Sequence, residues 1–321
     1  MKKITLSISK YSKLVVITNL ESIVYKFKNN PSSITKTIPI REISIEDYCD
    51  SNNYKNNTIF LLEDAKKQMI FDKENNFAYM TTKESEMRFP DLVYVLLTMF
   101  TNDLVKKRKY LLHSSSLEYD NDKSILLIGD GGAGKTSLAY KLIKDYDYKL
   151  ISNDHTLLTV KDGLFTSLIG TKDIEMRYGV IKNSFKDIEE NLPSYDGEDL
   201  WKRKIIINDF LTEENFATDK ERHITDVFQI NLLGSSAGEN FVSTKNYVDQ
   251  ILYLYEQLSK QIKGTYNLIT GFDYPMPSLE TEENLLALYN DIKIALENTK
   301  VHMAKGSLDE LPKRLVKIIE K

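Results

Sequence analysis

The chain has 321 residues, of which 41% are hydrophobic and 28% are charged, and its formal net charge is −4. This is the composition of a folded globular protein, and it excludes an intrinsically disordered or collagen-like chain. The 43 Lys and Arg residues are balanced by 47 Asp and Glu residues, which gives no overall basic surface for a nucleic acid. We therefore expect one large domain or two smaller ones, and no nucleic-acid partner.

The sequence shows no feature of a membrane or secreted protein. No apolar run approaches the ~18 residues that a membrane-spanning helix needs, and the N-terminal segment MKKITLSISK lacks the apolar region of a signal peptide. Cys49 is the only cysteine, which excludes an internal disulfide framework and a multi-cysteine metal site. The prediction is a cytoplasmic protein without a membrane partner.

Short apolar runs separated by turn-forming residues characterise the first 88 residues. Strands are predicted over residues 4–8, 14–17, 23–27, 58–62 and 68–71, with turns at 29–31 and 50–53. The sequence therefore predicts a β-rich N-terminal unit over residues 1–88.

Residues 89–321 are predicted to form an α/β domain whose C-terminal part, from about residue 244, is helical. Pro90 suits the start of a helix, and Leu92 and Leu96 recur at helical spacing. This helix is expected to end near residues 106–109, a basic cluster that suits a helix C-terminus. A nucleic-acid-binding patch is the alternative interpretation of the cluster.

The next predicted elements follow in an order typical of an α/β core. They are a strand at 124–128, a glycine-rich loop, an amphipathic helix over 137–144 and a strand at 149–152. The remaining predicted elements are a hairpin over 156–168 that turns at Asp162 and Gly163, a loop at 191–197, a strand over 225–233, and helices over 245–262, 281–297 and 311–320.

The most informative motif is GDGGAGKT at residues 129–136, which matches the phosphate-binding pattern G-x-x-x-x-G-K-[ST]. Such a loop surrounds phosphate with backbone N–H groups and with the positive end of the following helix. Lys135 is predicted to reach the β- and γ-phosphates, and Thr136 to bind Mg²⁺. The alternative is a flexible glycine turn without a ligand. The residues predicted to bind the nucleotide are Gly129, Asp130, Gly131, Gly132, Ala133, Gly134, Lys135, Thr136 and Ser137.

Other motifs distinguish between classes of nucleotide-binding protein. GTPases need an N-K-x-D motif, and Thr171-Lys172-Asp173 places its aspartate one residue too early. Transporter-type ATPases carry L-S-G-G-Q, with which residues 233–238 share only small residues. The sequence therefore favours a phosphotransferase.

Four segments occur in a fixed order: LHSS at 112–115, the glycine loop, LISND at 150–154 and IEMRYG at 174–179. Together they resemble the catalytic domain of HPr kinase/phosphorylase, a P-loop group related in fold to phosphoenolpyruvate carboxykinase, over about 70 of the 321 residues. In that family a histidine stands about twenty residues before the loop lysine, and here His113 precedes Lys135 by 22.

The resemblance implies a kinase that transfers the γ-phosphate of ATP to a serine hydroxyl with the help of Mg²⁺. It implies that His113 is the active-site histidine, Lys135 the nucleotide lysine and Thr136 a metal-binding hydroxyl. It also implies that Glu175 is associated with the metal and that Arg177 lies beside it.

The chain departs from the family pattern at two positions. The family's paired aspartates are Asn153 and Asp154 here, and asparagine cannot exchange the proton that the first aspartate of the pair is credited with moving. The reverse, phosphorylase reaction therefore lacks this acid. Tyr178 replaces a glycine of the family signature, and we interpret the chain as a distant relative with another substrate.

The same residues make chemical sense without the family. Asp154 ends a strand that faces the loop, where Mg²⁺ is usually held, and an aspartate that caps a turn is the alternative. We expect His113 and Asp154 to orient or deprotonate the acceptor hydroxyl. His155 is set aside, because successive strand residues point to opposite faces. His223 and His302 are interpreted as structural or surface residues.

Glu175 and Arg177 are two residues apart, so in a strand they would share a face and offer a carboxylate for metal and a guanidinium for phosphate. An ordinary cross-strand ion pair is the alternative. The basic residues 202–204 and Arg222 are further candidates to steady the transferred phosphoryl group, and a solvated face is the alternative for residues 202–204.

The sequence thus predicts an ATP-dependent, Mg²⁺-assisted kinase that acts on a serine-containing protein or peptide, or on a small hydroxyl metabolite. Relatives of this kind often assemble, so a homo-oligomer is the matching expectation. The first alternative is a nucleotide-binding regulatory or scaffold protein without catalysis, which Asn153 supports. The second is a stand-alone ATPase, for which the sequence has no recognisable coupling motif.

Overall fold

The computed structural model describes residues 1–49, 56–193, 199–233, 240–263 and 268–320. The turn predicted at 50–53, the end of the loop predicted at 191–197 and most of the segment 233–238 lie outside these residues. The predicted α/β class is confirmed, because helices and mixed β-sheets make up the described chain. Within the described ranges, no helix combines the length and the apolar character needed to cross a membrane.

The chain divides into two compact units, Met1–Leu112 with Ile251–Lys293, and His113–Gln250 with Ile294–Lys321. The division predicted at residue 88 differs from this one, because the helix expected to open the second domain belongs to the first unit. Hydrogen bonds explain this position: the Ser12 hydroxyl donates to the Asp103 carboxylate of that helix, and the Asn76 amide donates to its Met99 carbonyl.

The N-terminal part of the chain forms a mixed sheet with strand order β3-β1-β2-β4-β6-β5, in which β2, β4 and β6 are parallel neighbours. Its elements are β1 (Lys2–Ile8), β2 (Ser12–Thr18), α1 (Glu21–Asn29), α2 (Ser32–Thr35), β3 (Glu42–Asp47), β4 (Thr58–Glu63), β5 (Gln68–Asp72), β6 (Phe77–Thr82) and α3 (Phe89–Val105). Four of the predicted strands and the predicted long helix are confirmed, whereas β3 and β6 were not predicted.

The strand predicted over residues 23–27 is wrong, because this segment lies in helix α1. Ile23 and Phe27 are buried while Tyr25 between them is exposed, a burial pattern with helical and not strand periodicity. Glu21 in the first turn and Lys26 in the last turn also match the helix dipole.

The remaining elements, in chain order, are β7 (Tyr110–Asp120), β8 (Lys123–Ile128), α4 (Lys135–Tyr146), β9 (Lys149–Ser152), β10 (His155–Lys161), β11 (Leu164–Gly170), β12 (Glu175–Arg177), α5 (Tyr178–Ser184), α6 (Lys186–Glu189), β13 (Lys204–Ile206), β14 (Arg222–Leu232), β15 (Phe241–Thr244), α7 (Tyr247–Lys263), β16 (Leu268–Ile269), β17 (Tyr274–Pro275), α8 (Glu282–Ala295), β18 (Lys300–Gly306) and α9 (Leu311–Ile319).

The main sheet of the second unit has strand order β11-β10-β7-β8-β14-β18-β15, and β9 also pairs with β7. Strands β8, β14 and β18 are parallel neighbours, so their C-terminal ends meet at one edge of the sheet. Helix α4 packs on this sheet through Leu138 and Leu142, which share a core with Leu127 and Phe228. This packing fixes the strand–loop–helix segment that carries the glycine loop.

Strand β18, which lies in the main sheet beside β14, was not predicted and falls between two of the predicted C-terminal helices. Val301, His302 and Ala304 are all buried, so the segment has no alternation of polar and apolar residues to mark it as a strand. Its lysines, alanine and glycine have weak strand propensity, and pairing with β14 decides its structure.

Arg222 is a structural residue of β14, and the cationic role considered for it is not supported. Its side chain is 1% exposed, forms a salt bridge with the buried Glu118, and donates to the Thr218 and Lys220 carbonyls at 2.8 and 2.7 Å. The guanidinium is therefore enclosed by groups of the fold.

We expect Arg222→Met to lower the free energy of unfolding by about 3–5 kcal/mol, because it leaves the Glu118 carboxylate buried without its cation. Urea titration measures this loss, with the exposed Lys202→Met as control, expected to change stability by less than about 0.5 kcal/mol. Unchanged stability together with lost phosphoryl transfer would assign Arg222 to the site instead.

Candidate functional site

The glycine loop (residues 129–136) connects the end of β8 to the start of α4, as the sequence predicts. Gly132 and Gly134 have φ angles of +89° and +92°, a left-handed backbone that favours glycine. Gly134 is the residue directly before α4, whose first-turn N–H groups point out of the helix N-terminus. The loop and the helix end together form an anion-binding geometry.

The end of β14 holds the loop in place. The backbone N–H of Leu232 donates to the Ala133 carbonyl at 2.9 Å, and a Cβ atom on Gly134 would overlap the Leu232 side chain. A Cβ atom on Gly129 would lie 2.8 Å from the Ile230 carbonyl oxygen. Both ends of the loop therefore require glycine, because β14 lies too close to leave room for a Cβ atom.

We expect Gly134→Ala to lower the free energy of unfolding by about 1–3 kcal/mol and to weaken ATP binding, because alanine meets both an unfavourable φ and the Leu232 side chain. Denaturant titration and calorimetric ATP binding measure the two effects. Gly131→Ala is the matched control, since a Cβ atom there has nothing within 4 Å. Equal stability of the two variants would contradict this account of the loop.

Lys135 is held inside the loop. It is 6% exposed, and its Nζ donates to the Gly129 carbonyl at 2.7 Å and to the Asp130 carbonyl at 3.3 Å. Its ammonium group is thus fixed where phosphate oxygens would meet the loop N–H groups. Thr136 and Ser137 follow in the first turn of α4, half-buried and buried respectively.

The Asp154 carboxylate lies between two histidines. Its Oδ1 is 3.2 Å from His113 Nε2, and its Oδ2 is 3.1 Å from His155 Nδ1. The two imidazole rings are stacked with their centroids 5.5 Å apart. About half of the His113 side chain is exposed while His155 is buried, so His113 is the imidazole that an acceptor molecule can reach.

The charges around Asp154 keep it ionised. Burial raises the pKa of its carboxyl, but attraction to His155, to His113 and to the Lys135 ammonium outweighs burial, and the pKa lies below its usual value. The influence of Lys135 on this pKa links the carboxylate electrostatically to the glycine loop. A carboxylate next to an imidazole and near a fixed ammonium is suited to proton acceptance or metal binding.

The expectation that the Asp154 and His155 side chains point to opposite faces is wrong, because the two are in contact. Asp154 lies in the turn between β9 and β10, so the alternation of strand side chains does not apply to this pair. The Thr171 hydroxyl accepts the backbone N–H groups of Asp154 and His155, both at 3.0 Å, and thereby shapes the turn. The turn-forming pair Asn153-Asp154 is the sequence signal that could have revealed this.

Asn153 is engaged inside the fold. Its side-chain amide donates to the Asp173 carbonyl at 3.2 Å, and its side-chain oxygen accepts the Ser115 hydroxyl at 3.3 Å. The residue is 6% exposed. Asn153 therefore fixes the turn that presents Asp154.

Glu175 and Arg177 lie in the short strand β12, paired with β13, as the predicted strand requires. Glu175 Oε2 accepts from Lys204 Nζ at 2.9 Å, which is the cross-strand ion pair of the alternative interpretation, and Arg177 is exposed. Lys202 forms an ion pair with Asp199. The roles of Glu175 and Arg177 at the metal and the phosphate stay predictions.

Among the residues that the structure describes, no three His, Cys, Asp or Glu side chains are grouped to hold a metal ion. This does not test the predicted magnesium site, because Mg²⁺ in nucleotide sites uses one or two carboxylates, with phosphate and water completing its shell.

Comparison with solved structures finds a weak relationship, and comparison with protein families and curated proteins finds none. No family model matches the chain, and no curated protein matches it. Among solved structures, the chain is similar to the HPr(Ser) kinase/phosphatase from Coxiella burnetii, with 9% sequence identity over 65% of this chain and 93% of that chain, and a TM-score of 0.31. A TM-score this low carries no argument about the site, whose chemistry has to be judged from the chain's own residues.

Proposed function

We propose that this chain is an ATP-dependent phosphotransferase that transfers the γ-phosphate to a hydroxyl group. The observation that carries the proposal is the contact between the Asp154 carboxylate and His113. The positive charge of the loop lysine Lys135 also lowers the pKa of this carboxylate. A phosphate-binding loop next to an ionised carboxylate–imidazole pair has the parts that hydroxyl phosphorylation needs.

Each residue has a separate task in the proposed reaction. The loop N–H groups and Lys135 bind the phosphates of ATP, and Thr136 and Asp154 offer the oxygen ligands that Mg²⁺ prefers. The bound metal would neutralise charge on the transferred group. His113, oriented by Asp154, accepts the proton of the attacked hydroxyl through its exposed imidazole. Glu175 is proposed as a further metal ligand.

The acceptor class is a serine-containing protein or peptide, or a small hydroxyl metabolite. Both present the same chemistry, an alcohol whose proton passes to His113 as the oxygen attacks phosphorus. A nucleotide-binding regulatory protein without catalysis is the second candidate. Asn153 favours it, because the carboxamide cannot take up a proton and is engaged within the fold.

Incubation with γ-labelled ATP, Mg²⁺ and host lysate distinguishes these functions, with Lys135→Ala as the parallel control. We expect label in an acceptor with the wild-type protein and none above background with the variant. Separating macromolecules from small molecules then identifies the acceptor class. Saturable ATP binding without variant-sensitive label in either fraction would support the regulatory protein and contradict the kinase.

A further inference from the structure

A second chain of hydrogen bonds, away from the glycine loop, ends at an exposed hydroxyl. Thr244 lies at the end of strand β15 and is exposed, and its Oγ1 is 3.1 Å from Nδ1 of His302. The other ring nitrogen of His302, Nε2, is 2.8 Å from Oδ1 of Asp226. His302 is 2% exposed and Asp226 is buried, so these two polar side chains lie inside the fold while the Thr244 hydroxyl bonded to His302 is on an exposed residue.

The direction of these hydrogen bonds follows from which of the three side chains can donate and which can accept. An ionised carboxylate can only accept, so Nε2 carries the proton that is shared with Asp226. In the neutral imidazole Nδ1 is then the acceptor, and the Thr244 hydroxyl donates to it. Stacking of the ring on Phe228, with centroids 4.9 Å apart and planes at 21°, fixes its orientation.

This is the arrangement of an activated nucleophile: a hydroxyl bonded to a base, and the base oriented by a third group. It uses residues that the proposed active site does not use. Burial of a carboxylate and an imidazole costs stability unless they are paired, and here His302 pairs with Asp226 through one ring nitrogen and contacts the exposed Thr244 hydroxyl through the other. The sequence contained no signal for it, since the three residues lie on three different strands.

Thr244 lies three strands away from β8, the strand that leads into its own glycine loop. Thr244 pairs with His302, His302 with Phe228, and Phe228 with Leu127, which precedes the loop by two residues. Three strand spacings of about 4.8 Å separate the backbone of Thr244 from that of Leu127 by ~14 Å across the sheet, and in-line attack needs the reacting atoms within about 3–3.5 Å. This separation favours a donor held by another molecule.

We propose that Thr244 is a phosphorylation site that accepts the γ-phosphoryl group of ATP bound to a second copy of this chain. The proposal rests on the proposed function for its donor. In the transfer, a bond forms between Thr244 Oγ1 and the γ-phosphorus, and the bond from that phosphorus to the bridging oxygen of ADP breaks. The hydroxyl proton passes to His302 Nδ1, the Asp226 carboxylate stabilises the imidazolium, and ADP leaves.

The surroundings suit the product. Helix α7 begins three residues after Thr244, so a phosphate at Thr244 would lie near the positive end of a helix. The opposing charge is Asp249 in the first turn, which accepts from the Asn246 amide at 2.7 Å.

The first experiment incubates the full-length protein with γ-labelled ATP and Mg²⁺ and maps the label by mass spectrometry. We expect phosphothreonine at Thr244, none in Thr244→Val, and no loss in Ser243→Ala, which removes the neighbouring exposed hydroxyl. Lys135→Ala alone stays unlabelled at Thr244, but becomes labelled there when mixed with wild type. Lys135→Ala that stays unlabelled at Thr244 after mixing and subunit exchange with wild type would overturn transfer between copies.

Two variants test the role of the buried pair. His302→Gln and Asp226→Asn are each expected to slow labelling of Thr244 by about 10²-fold or more, while transfer to the lysate acceptor is kept. Circular dichroism and urea titration confirm that each variant used is folded. Labelling at the wild-type rate in a folded variant would show that the pair is only structural.

A fluorophosphonate probe separates failure of this inference from failure of the proposed function, because it reacts with activated hydroxyls without ATP. We expect it to modify Thr244 in both wild type and Lys135→Ala, and not in Thr244→Val. Transfer to a lysate acceptor without modification of Thr244 by ATP overturns the inference and leaves the function intact. If ATP labels no molecule, both the inference and the proposed function are overturned. If Thr244 does not react with the probe, the claim that its hydroxyl is activated is overturned.

Discussion

Lys135→Ala is expected to reduce phosphoryl transfer by about 10³-fold and to weaken ATP binding markedly. The ammonium is fixed inside the loop by the Gly129 and Asp130 carbonyls, so it is already positioned for the phosphate oxygens and for the charge that develops in transfer. Alanine removes this charge without a large change in the helix, because alanine is the best helix former. Calorimetric ATP titration and label transfer measure the two losses.

The matched control is Lys141→Ala, on the same helix, where the lysine forms an ion pair with Asp145 at a partly exposed position. It removes the same charge from α4 and is expected to leave binding and transfer unchanged and stability within about 0.5 kcal/mol. Transfer by Lys135→Ala at the rate of this control would show that the glycine loop is not the nucleotide site.

Asp154→Asn is expected to lower the turnover rate by about 10²–10⁴-fold while the protein stays folded. Asparagine preserves the shape of the side chain but loses the charge that orients His113 and His155 and that is offered to Mg²⁺. Because the pKa of Asp154 is lowered, the carboxylate is ionised well below neutral pH. Its loss of charge is therefore expected to limit the wild-type rate only at a pH below the range in which an ordinary aspartate titrates.

His113→Gln is expected to have a similar effect on turnover, and the double variant to be little worse than either single variant. Two groups that act as one unit show this non-additivity, since removing one already disables the other. Steady-state rates with the identified acceptor measure it. Strictly additive losses would indicate that the two residues have independent roles.

Local sequence patterns were sufficient for the parts of the site that lie within one segment. The strand, the glycine loop and helix α4 follow each other in sequence, and the phosphate-loop motif itself dictates their order. The pairing of His113 with Asp154 needed more than a local pattern: it rested on the spacing shared with the resembling family and on acid–base chemistry, and the structure places their polar atoms 3.2 Å apart. The hairpin turning at Asp162 and Gly163 was also predictable, because both residues adopt the positive φ angles that their types tolerate.

Features that depend on tertiary contacts could not be obtained in this way. The pair Asn153-Asp154 signals a turn, but the contact of His155 with Asp154 also depends on Thr171, which shapes that turn from seventeen positions beyond Asp154. Asp226 and His302 are brought together by parallel pairing of β14 and β18, for which the buried segment 300–306 has no periodic signal. The helix over Ile23 and Phe27 was missed because a five-residue segment with four apolar or aromatic residues fits either periodicity.

The measurement that tests the central claim most directly compares ATP binding and label transfer in the same preparations of wild type and His113→Gln. His223→Gln is the matched control, a histidine of the same unit whose Nδ1 is 3.3 Å from the Thr166 hydroxyl. The account predicts similar ATP affinity for all three proteins, full transfer by His223→Gln, and transfer by His113→Gln reduced by about 10²-fold or more. Equal transfer by wild type and His113→Gln, or ATP binding with no transfer by any of the three, would contradict it.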